Sequence, residues 1–172
     1  MSNSTHSGIE VERKYIVKKP EISILESQPE YTKSEILQIY LDSEEGITHR
    51  IRKRVFQDRT EYTETTKKRI DQISSEENEW EISKEEFDFL ARKIKADTSK
   101  INKTRHTFTY CGQIFEIDVY PQWKNTAIME TELCDPLKEV AMPCFIVIVG
   151  EVSGDKSYSN AGMAKKFPRE II

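Results

Sequence analysis

The sequence predicts an α+β fold: an eight-stranded antiparallel β-barrel with a few flanking helices. Three features predict it, namely short segments in which polar and apolar residues alternate, turns or short loops between most of these segments, and a single segment with clear helical spacing. Alternation is typical of strands because successive side chains point to opposite faces. We expect one domain over residues 9–172, preceded by a disordered polar tail at residues 1–8.

Strand-like segments account for most of the first half of the chain. They cover residues 9–15, 38–41, 47–56, 61–68 and 77–83. Between the first two, residues 20–29 start and end with proline, which predicts a connection with at most a short helix. Residues 42–46 predict a turn, so the strands on either side of it are expected to pair antiparallel.

The clearest helix of the sequence begins after Ser83. A serine followed three residues later by Glu86 is the pattern of a capping box, in which each side chain bonds the backbone N–H of the other residue. Apolar residues then recur at helical spacing, at Phe87, Leu90, Ala91 and Ile94. Strand-like segments resume at residues 101–110, 113–120, 126–133 and 144–152. Residues 136–140 are compatible with a short helix, and a Gly-, Ser- and Lys-rich tail begins at residue 153.

The composition argues against several classes of protein. With 26 basic and 30 acidic residues, the net charge of −4 argues against a broad surface for nucleic acid. No window approaches the roughly 18 apolar residues of a membrane span, and the first residues lack the apolar stretch of a signal peptide. We therefore expect no membrane partner. The 3 cysteines are odd in number and show no CxxC or zinc-type spacing, so we expect a cytoplasmic protein. Monomer and homodimer are both left open.

Charged side chains occur two residues apart in nearly every predicted strand. They share one parity within each strand: Glu10/Glu12/Lys14, Arg50/Arg52/Arg54, Glu77/Glu79/Glu81, Lys103/Arg105, Glu116/Asp118 and Glu130/Glu132. One such set alone is typical of a solvated sheet face. Their repetition favours a barrel with a wet, charged interior, because an unpaired buried ion costs several kcal/mol. Arginines bind phosphate oxygens and carboxylates bind Mg²⁺ or Mn²⁺, so a metal–polyphosphate complex fits both sets.

The segment Glu10-Val11-Glu12-Arg13-Lys14 resembles the ExExK signature of the CYTH superfamily, the triphosphate tunnel metalloenzymes. Later segments are similar to the family's further motifs, in the family's order: Gln38-Ile39-Tyr40-Leu41, Arg50-Ile51-Arg52, Thr65-Thr66-Lys67, Glu77-Asn78-Glu79, Lys103-Thr104-Arg105, Glu116-Ile117-Asp118-Val119-Tyr120, Glu130-Thr131-Glu132-Leu133 and residues 150–160. The resemblance covers about residues 9–164 and implies an eight-stranded antiparallel tunnel. Two positions depart from it: Ser75 stands where such members often have Arg, and Ile39 where Gly is often found.

Members of this family hydrolyse inorganic, thiamine or nucleoside triphosphates, and class IV adenylate cyclases share the fold. The opening is most similar to that of short bacterial inorganic triphosphatases. The resemblance therefore implies metal-dependent hydrolysis of inorganic triphosphate to pyrophosphate and phosphate. A class IV adenylate cyclase and a thiamine triphosphatase are the enzymatic alternatives. A module that binds polyphosphate or a nucleotide without turnover, and a charged β-sandwich that binds proteins, are the non-enzymatic ones.

The resemblance also assigns roles to the predicted interior residues. The expected phosphate-binding cations are Lys14, Arg50, Arg52, Lys103 and Arg105, with Arg54 nearer a strand end. For each of them a structural salt bridge is the alternative. The expected metal ligands are Glu10, Glu12, Glu130 and Glu132, because carboxylates two apart on facing strands can converge on one Mg²⁺ or Mn²⁺ ion. A second metal on Glu77, Glu79 and Asp118 is weighed equally against ion pairs with neighbouring cations.

Tyr40 and Lys67 are the expected catalytic pair. In the family members that this chain resembles, a Tyr and a Lys at these motif positions are implicated in activating the attacking water. That role requires a phenol or amine whose pKa is lowered by neighbouring charge. The alternative is that Tyr40 is a packing residue and Lys67 a further phosphate-binding cation.

Overall fold

The computed structural model of the protein describes residues 5–135 and 137–171. Its strands are β1 (Thr5–Lys18), β2 (Thr32–Leu41), β3 (Ile47–Val55), β4 (Thr60–Arg69), β5 (Ser74–Glu81), β6 (Ile101–Tyr110), β7 (Gln113–Val119), β8 (Thr126–Glu132) and β9 (Ile148–Glu151). The first eight form a closed antiparallel barrel in the order β5-β4-β3-β2-β6-β7-β8-β1, which closes through pairing of β1 with β5. The short β9 pairs with β1. The predicted eight-stranded barrel is confirmed.

The strand β1 closes the barrel by changing its partner along its length. Residues Thr5–Val11 pair with β5, whereas Glu12–Lys18 pair with β8. This corrects the tail expected at residues 1–8, because residues 5–8 belong to β1. The sequence of residues 5–8 does not predict a strand, and pairing with β5 decides the conformation instead. Residues 1–4 lie outside the described residues.

Helices cover the outside of the barrel, where the apolar parity of the strands lies. The helix α1 (Ile22–Glu26) packs through Leu25 onto a cluster with Tyr15, Phe108 and Phe115. The helix α2 (Lys84–Leu90) packs through Phe87 onto Ile39, Leu41 and Ile51. The capping box predicted at its start is confirmed, since Ser83 Oγ accepts from Glu86 N and Glu86 Oε2 accepts from Ser83 N. These outer contacts leave the polar parity facing inward.

Apolar side chains fill one end of the barrel interior. Ile16, Tyr40, Ile101 and Ile128 share the inward parity of the charged residues in their strands. They form one cluster with Tyr120, Trp123, Met163 and Ala164. The helix α3 (Asn160–Lys165) contributes the last two. Because this end is packed, the charged interior is confined to the remaining length of the barrel.

The C-terminal third departs most from the sequence-based expectations. The strand expected at residues 144–152 is reduced to β9, because Ile146 turns into the outer core through a bond from its N–H to Pro143 O. Residues 137–140 form no helix. The tail from residue 153 contains a 3₁₀ turn (Lys156–Tyr158) and α3, which is too short to show helical periodicity in the sequence. No helix of the described ranges is long and apolar enough to cross a membrane.

Candidate active site

The barrel encloses a cavity of about 940 Å³ that is lined by the polar parity of its strands. At one rim, the β2–β3 turn, the β4–β5 turn and part of the C-terminal segment add to its wall. The structure brings most of the predicted site residues to this cavity: Glu10, Glu12, Lys14, Tyr40, Arg50, Arg52, Arg54, Lys67, Glu77, Glu79, Arg105, Glu130 and Glu132. Lys103 and Asp118 are not among its lining residues.

Arg50, Arg52 and Arg54 of β3 form a line along the cavity wall, which we call the arginine row. Carboxylates approach this row only loosely, because Arg50 Nη2 lies 3.4 Å from Glu77 and Arg52 Nη1 lies 3.9 Å from Glu79. The buried Nε of Arg50 has no hydrogen-bond partner among the described residues. Burial and the charge of Arg50 lower the pKa of Arg52 to about 10. The arginine row therefore carries positive charge that the protein neutralises only in part.

A second group of charges, on β1, β6, β7 and β8, is tightly paired. We call it the ion-pair cluster, and it consists of Lys14, Lys103, Arg105, Glu116, Asp118 and Glu130. Arg105 Nε and Nη2 donate to Asp118 at 2.7 Å each, Nη2 also donates to Glu130 at 2.8 Å, and Nη1 bonds Glu116. Lys14 Nζ lies 2.8 Å from Glu130. Three cations thus meet three carboxylates, and little charge is left for a ligand.

The innermost members of the ion-pair cluster are Lys103 and Asp118. Their side chains are both 0% exposed, and their N–O distance is 2.5 Å. Burial and the charge of Arg105 lower the pKa of Lys103 to about 8. Lys103 Nζ also lies 5.9 Å from the ring centroid of Tyr120, which belongs to the apolar end of the barrel. Their depth along the barrel therefore separates these two residues from the cavity, although their parity was predicted correctly.

Carboxylates crowd together where β1 meets β8. The register pairs Glu12 with Glu132. Burial and the neighbouring carboxyl group of Glu10 raise the pKa of Glu132 to about 8. Burial and the charge of Glu130 raise the pKa of Glu12. Such crowding suits a bound cation, whose charge would allow all of these groups to ionise.

The described residues nevertheless contain no preformed group of three or more acidic, His or Cys side chains at metal-binding geometry. Within these residues the carboxylates pair with cations instead. Glu10 bonds Lys67, and Glu77 lies 3.3 Å from the same amine. The three residues expected to hold a second metal are also separated, because Asp118 binds the ion-pair cluster whereas Glu77 and Glu79 face the arginine row.

Tyr40 and Lys67 both line the cavity. A general base would need a lowered pKa, but the pKa values of both residues are raised. Burial raises the pKa of Tyr40. Burial lowers the pKa of Lys67, but the charges of Glu10, Glu12 and Glu77 raise it by more than burial lowers it, so the net shift is upward. Behind Tyr40 lies Gln38, a fully buried residue to which the sequence assigned no separate role. Its inward parity, shared with Tyr40, was the available signal.

No family model and no curated protein matches this sequence. Among solved structures, the crystal structure of the inorganic triphosphatase NE1496 is 26% identical over 93% of this chain and 97% of that chain, with a TM-score of 0.59. The chain has the triphosphate tunnel fold of the CYTH superfamily. A second structure of NE1496 matches with 26% identity and a TM-score of 0.58 over 92% of this chain and 99% of that chain. The PH1819 protein from Pyrococcus horikoshii OT3 matches with 22% identity and a TM-score of 0.55 over 73% of this chain and 79% of that chain.

The CYTH fold accounts for the placement of the charges. On an open sheet, the polar side chains of each strand would face solvent. In a closed barrel that face of the sheet is the inside, so the same side chains point toward the tunnel axis. The tunnel therefore presents the arginine row and the Glu10–Glu132 pair to one enclosed volume, while the ion-pair cluster binds β1, β6, β7 and β8 together.

Proposed function

We propose that this protein hydrolyses inorganic triphosphate to pyrophosphate and phosphate, with a divalent metal ion as cofactor. The observation that carries the proposal is the arginine row, whose nearest carboxylates lie 3.4 to 3.9 Å away. Guanidinium groups bind phosphate oxygens strongly and often through two parallel bonds. A ligand of high negative charge would complete the neutralisation of this row. Similarity over nearly the whole chain to the inorganic triphosphatase NE1496 supports the same activity.

The lining of the tunnel favours inorganic triphosphate over a nucleotide. Among the described lining residues, Tyr40 is the only Phe, Tyr or Trp, and its ring packs into the apolar end of the barrel. An adenine base would therefore find no aromatic surface on which to stack. This favours hydrolysis of inorganic triphosphate over formation of cyclic AMP from ATP.

The residues proposed to hold the metal ion are Glu10, Glu12 and Glu132. Glu130, the fourth predicted ligand, is placed as a structural residue because Lys14 and Arg105 both bond it. The raised pKa values of Glu12 and Glu132 fit this role, because a cation would offset the burial and the carboxylate repulsion that raise them. Mg²⁺ and Mn²⁺ both prefer carboxylate oxygens. When bound, such an ion would neutralise charge on the phosphate oxygens.

The chain's own residues would chiefly bind and orient the substrate. We assign Arg50 and Arg52 to the phosphate oxygens, with Arg54 as a weaker contact toward the far end of the row. Lys14, which was predicted to bind phosphate, is placed as a structural residue because its amine lies 2.8 Å from Glu130. Arg105 is placed as a structural residue, since all three of its guanidinium nitrogens already bond carboxylates. Tyr40 and Lys67 keep their protons at neutral pH, so they are proposed as hydrogen-bond donors to phosphate oxygens rather than as acceptors of the water's proton.

A phosphate-release assay tests this function. The purified protein is given inorganic triphosphate, thiamine triphosphate, ATP or pyrophosphate, each with Mg²⁺, Mn²⁺ or EDTA. We expect inorganic triphosphate to have the highest kcat/KM and EDTA to abolish turnover, and the two metal arms decide which cation serves better. Cyclic AMP formed from ATP would favour the cyclase instead. Binding of triphosphate without turnover in any arm would favour a module that only binds phosphates.

A further inference from the structure

Gln38 links two residues of the tunnel wall from behind. Its side chain is 0% exposed, and it lies on β2 directly opposite Arg52 and on the same face as Tyr40. Gln38 Nε2 donates to the Tyr40 hydroxyl oxygen at 2.5 Å, and Gln38 Oε1 accepts from Arg52 Nε at 3.4 Å. A buried polar group that bonds two cavity-lining residues is placed to control both.

The chemistry of arginine fixes which way this amide points. A guanidinium group has only donors, so the amide oxygen must face Arg52 Nε–H. The amide NH₂ group then faces Tyr40. Rotating the amide by half a turn would bring its N–H groups against Arg52 and leave a buried donor without an acceptor, which is costly.

This orientation fixes the role of the Tyr40 hydroxyl in turn. Because the oxygen accepts from Gln38, the hydroxyl proton must point elsewhere. The charges of Arg50, Arg52 and Lys14 act on the pKa of Tyr40, and these cations are donors that cannot accept a hydrogen bond from it. Among the described residues no acceptor bonds this proton, so the hydroxyl presents an unused donor amid cations. Burial raises the pKa of Tyr40, which keeps the proton on the phenol.

We propose that Gln38 is a positioning residue that turns the Tyr40 hydroxyl into a hydrogen-bond donor toward a phosphate oxygen and holds Arg52 for the same ligand. The inference rests on the proposed function, because that phosphate belongs to the proposed substrate. Gln38 itself does not touch the substrate. Its effect on the reaction passes through Tyr40, whose donated bond would strengthen as charge develops on the transferred phosphoryl group.

A double-mutant cycle of Gln38→Met and Tyr40→Phe tests the coupling. Methionine keeps the volume of the glutamine but removes both amide contacts. We expect each single variant to lower kcat about tenfold, and the double variant to lie within about twofold of either, because residues that act as a unit do not lose activity additively. Independent roles would instead multiply to roughly a hundredfold loss. Gln38→Met should also raise the Kd of inorganic triphosphate measured in EDTA, about fivefold more than Tyr40→Phe, since Arg52 is released as well.

Two further variants separate positioning from folding. Ile39→Val changes the neighbouring residue of β2, which is 0% exposed and packs outward against α2. It should lower Tm while kcat stays within twofold of wild type. Gln38→Glu offers only acceptors, so the Tyr40 hydroxyl would donate its hydrogen bond to residue 38 and away from the phosphate, and kcat should fall below that of Gln38→Met. Wild-type kcat in Gln38→Glu would overturn the inference.

The readouts keep this inference apart from the proposed function. A wild-type protein that binds triphosphate in EDTA but never hydrolyses it contradicts the proposed function. The Gln38→Met/Tyr40→Phe cycle is then evaluated from the Kd values, for which we also expect the effects of the two substitutions to be non-additive. Multiplicative losses in Gln38→Met/Tyr40→Phe, with an active wild type, overturn the role of Gln38 alone. A wild type that does not bind triphosphate overturns both.

Discussion

The arginine row and the ion-pair cluster are two concentrations of charge inside one barrel, and they are neutralised in different ways. In the ion-pair cluster, Lys14, Lys103 and Arg105 lie 2.5 to 2.8 Å from the carboxylate oxygens of Glu130 and Asp118. Along the arginine row the nearest carboxylate oxygens lie 3.4 to 3.9 Å away, and one buried guanidinium nitrogen has no partner among the described residues. Charge inside a barrel therefore indicates a ligand only where the protein leaves that charge unpaired.

The difference has opposite consequences for stability. Removing one partner of a tight buried pair leaves a charge without compensation, which is strongly destabilising. Removing one cation from the arginine row instead reduces repulsion between like charges. Variants of the ion-pair cluster should therefore lower the free energy of unfolding. Variants of the arginine row should mainly weaken ligand binding.

The largest effect is expected for Asp118→Asn in the ion-pair cluster. The variant leaves Lys103 and Arg105 facing each other without the carboxylate that both of them contact. The free energy of unfolding, measured by urea denaturation, should fall by about 3–5 kcal/mol. Glu79→Gln beside the arginine row is the matched control and should cost about 1 kcal/mol or less, because its ion contacts are 3.9 Å long. Equal losses in the two variants would remove the distinction between the groups.

Arg52→Met should show the opposite profile. A hydrogen bond to a charged group contributes about 1.5–3 kcal/mol, so KM for inorganic triphosphate should rise roughly 10- to 100-fold with a smaller loss in kcat. The free energy of unfolding should stay level or increase, because Arg50 and Arg105 both repel Arg52. Steady-state kinetics and urea denaturation of the same preparation measure the two effects. A loss of stability as large as that of Asp118→Asn would show that Arg52 is a structural residue.

The carboxylates beside these two groups predict a pH dependence of the metal-free protein. Below pH 4.5, Glu132 is protonated in the folded and the unfolded chain alike. As pH rises toward 8, the unfolded chain loses a proton that burial and Glu10 retain in the folded one, because the folded pKa is raised to about 8. The contribution of Glu132 to stability therefore falls across this window. The opposite shift of Glu10, whose pKa is lowered to about 2, acts below pH 4.5 and does not enter it.

Thermal melts in EDTA between pH 5.5 and 8.5 measure this fall, which should amount to a few degrees in Tm. Glu132→Gln should flatten the curve, whereas Glu85→Gln on the exposed surface of α2 should leave it unchanged. Mg²⁺ or Mn²⁺ should raise Tm most at the alkaline end, where the carboxylates are ionised. A wild-type Tm that does not vary across the range would contradict the raised pKa of Glu132.

The sequence predicts which side chains point into the barrel, but it does not predict how far along the barrel axis each of them lies. Alternation in Arg50-Ile51-Arg52 and Glu130-Thr131-Glu132 sets the inward face once the barrel is closed. Lys103 obeys the same alternation, yet it ends beside the apolar end of the barrel rather than at the cavity. Depth depends on strand register, such as the pairing of Gln38 with Arg52, which arises from the closed sheet as a whole. Parity alone therefore could not separate binding cations from structural ones.

The smallest effect is expected for Arg54, at the end of the arginine row. The protein contacts this guanidinium group more closely than the other two in the row, so Arg54 should resemble the ion-pair cluster more than Arg52 does. Arg54 Nε donates to Ser34 Oγ at 2.9 Å, and its guanidinium lies 4.6 Å from the ring centroid of Phe56, so the protein itself provides part of its environment. Arg54→Met should therefore raise KM for inorganic triphosphate only about two- to fivefold, below 1.4 kcal/mol, the free energy of a tenfold change. Kinetics on Arg54→Met and Arg52→Met side by side give the comparison. If Arg54→Met raises KM as much as Arg52→Met does, its contacts to Ser34 and Phe56 do not compete with the phosphate, and the row binds as three equivalent cations.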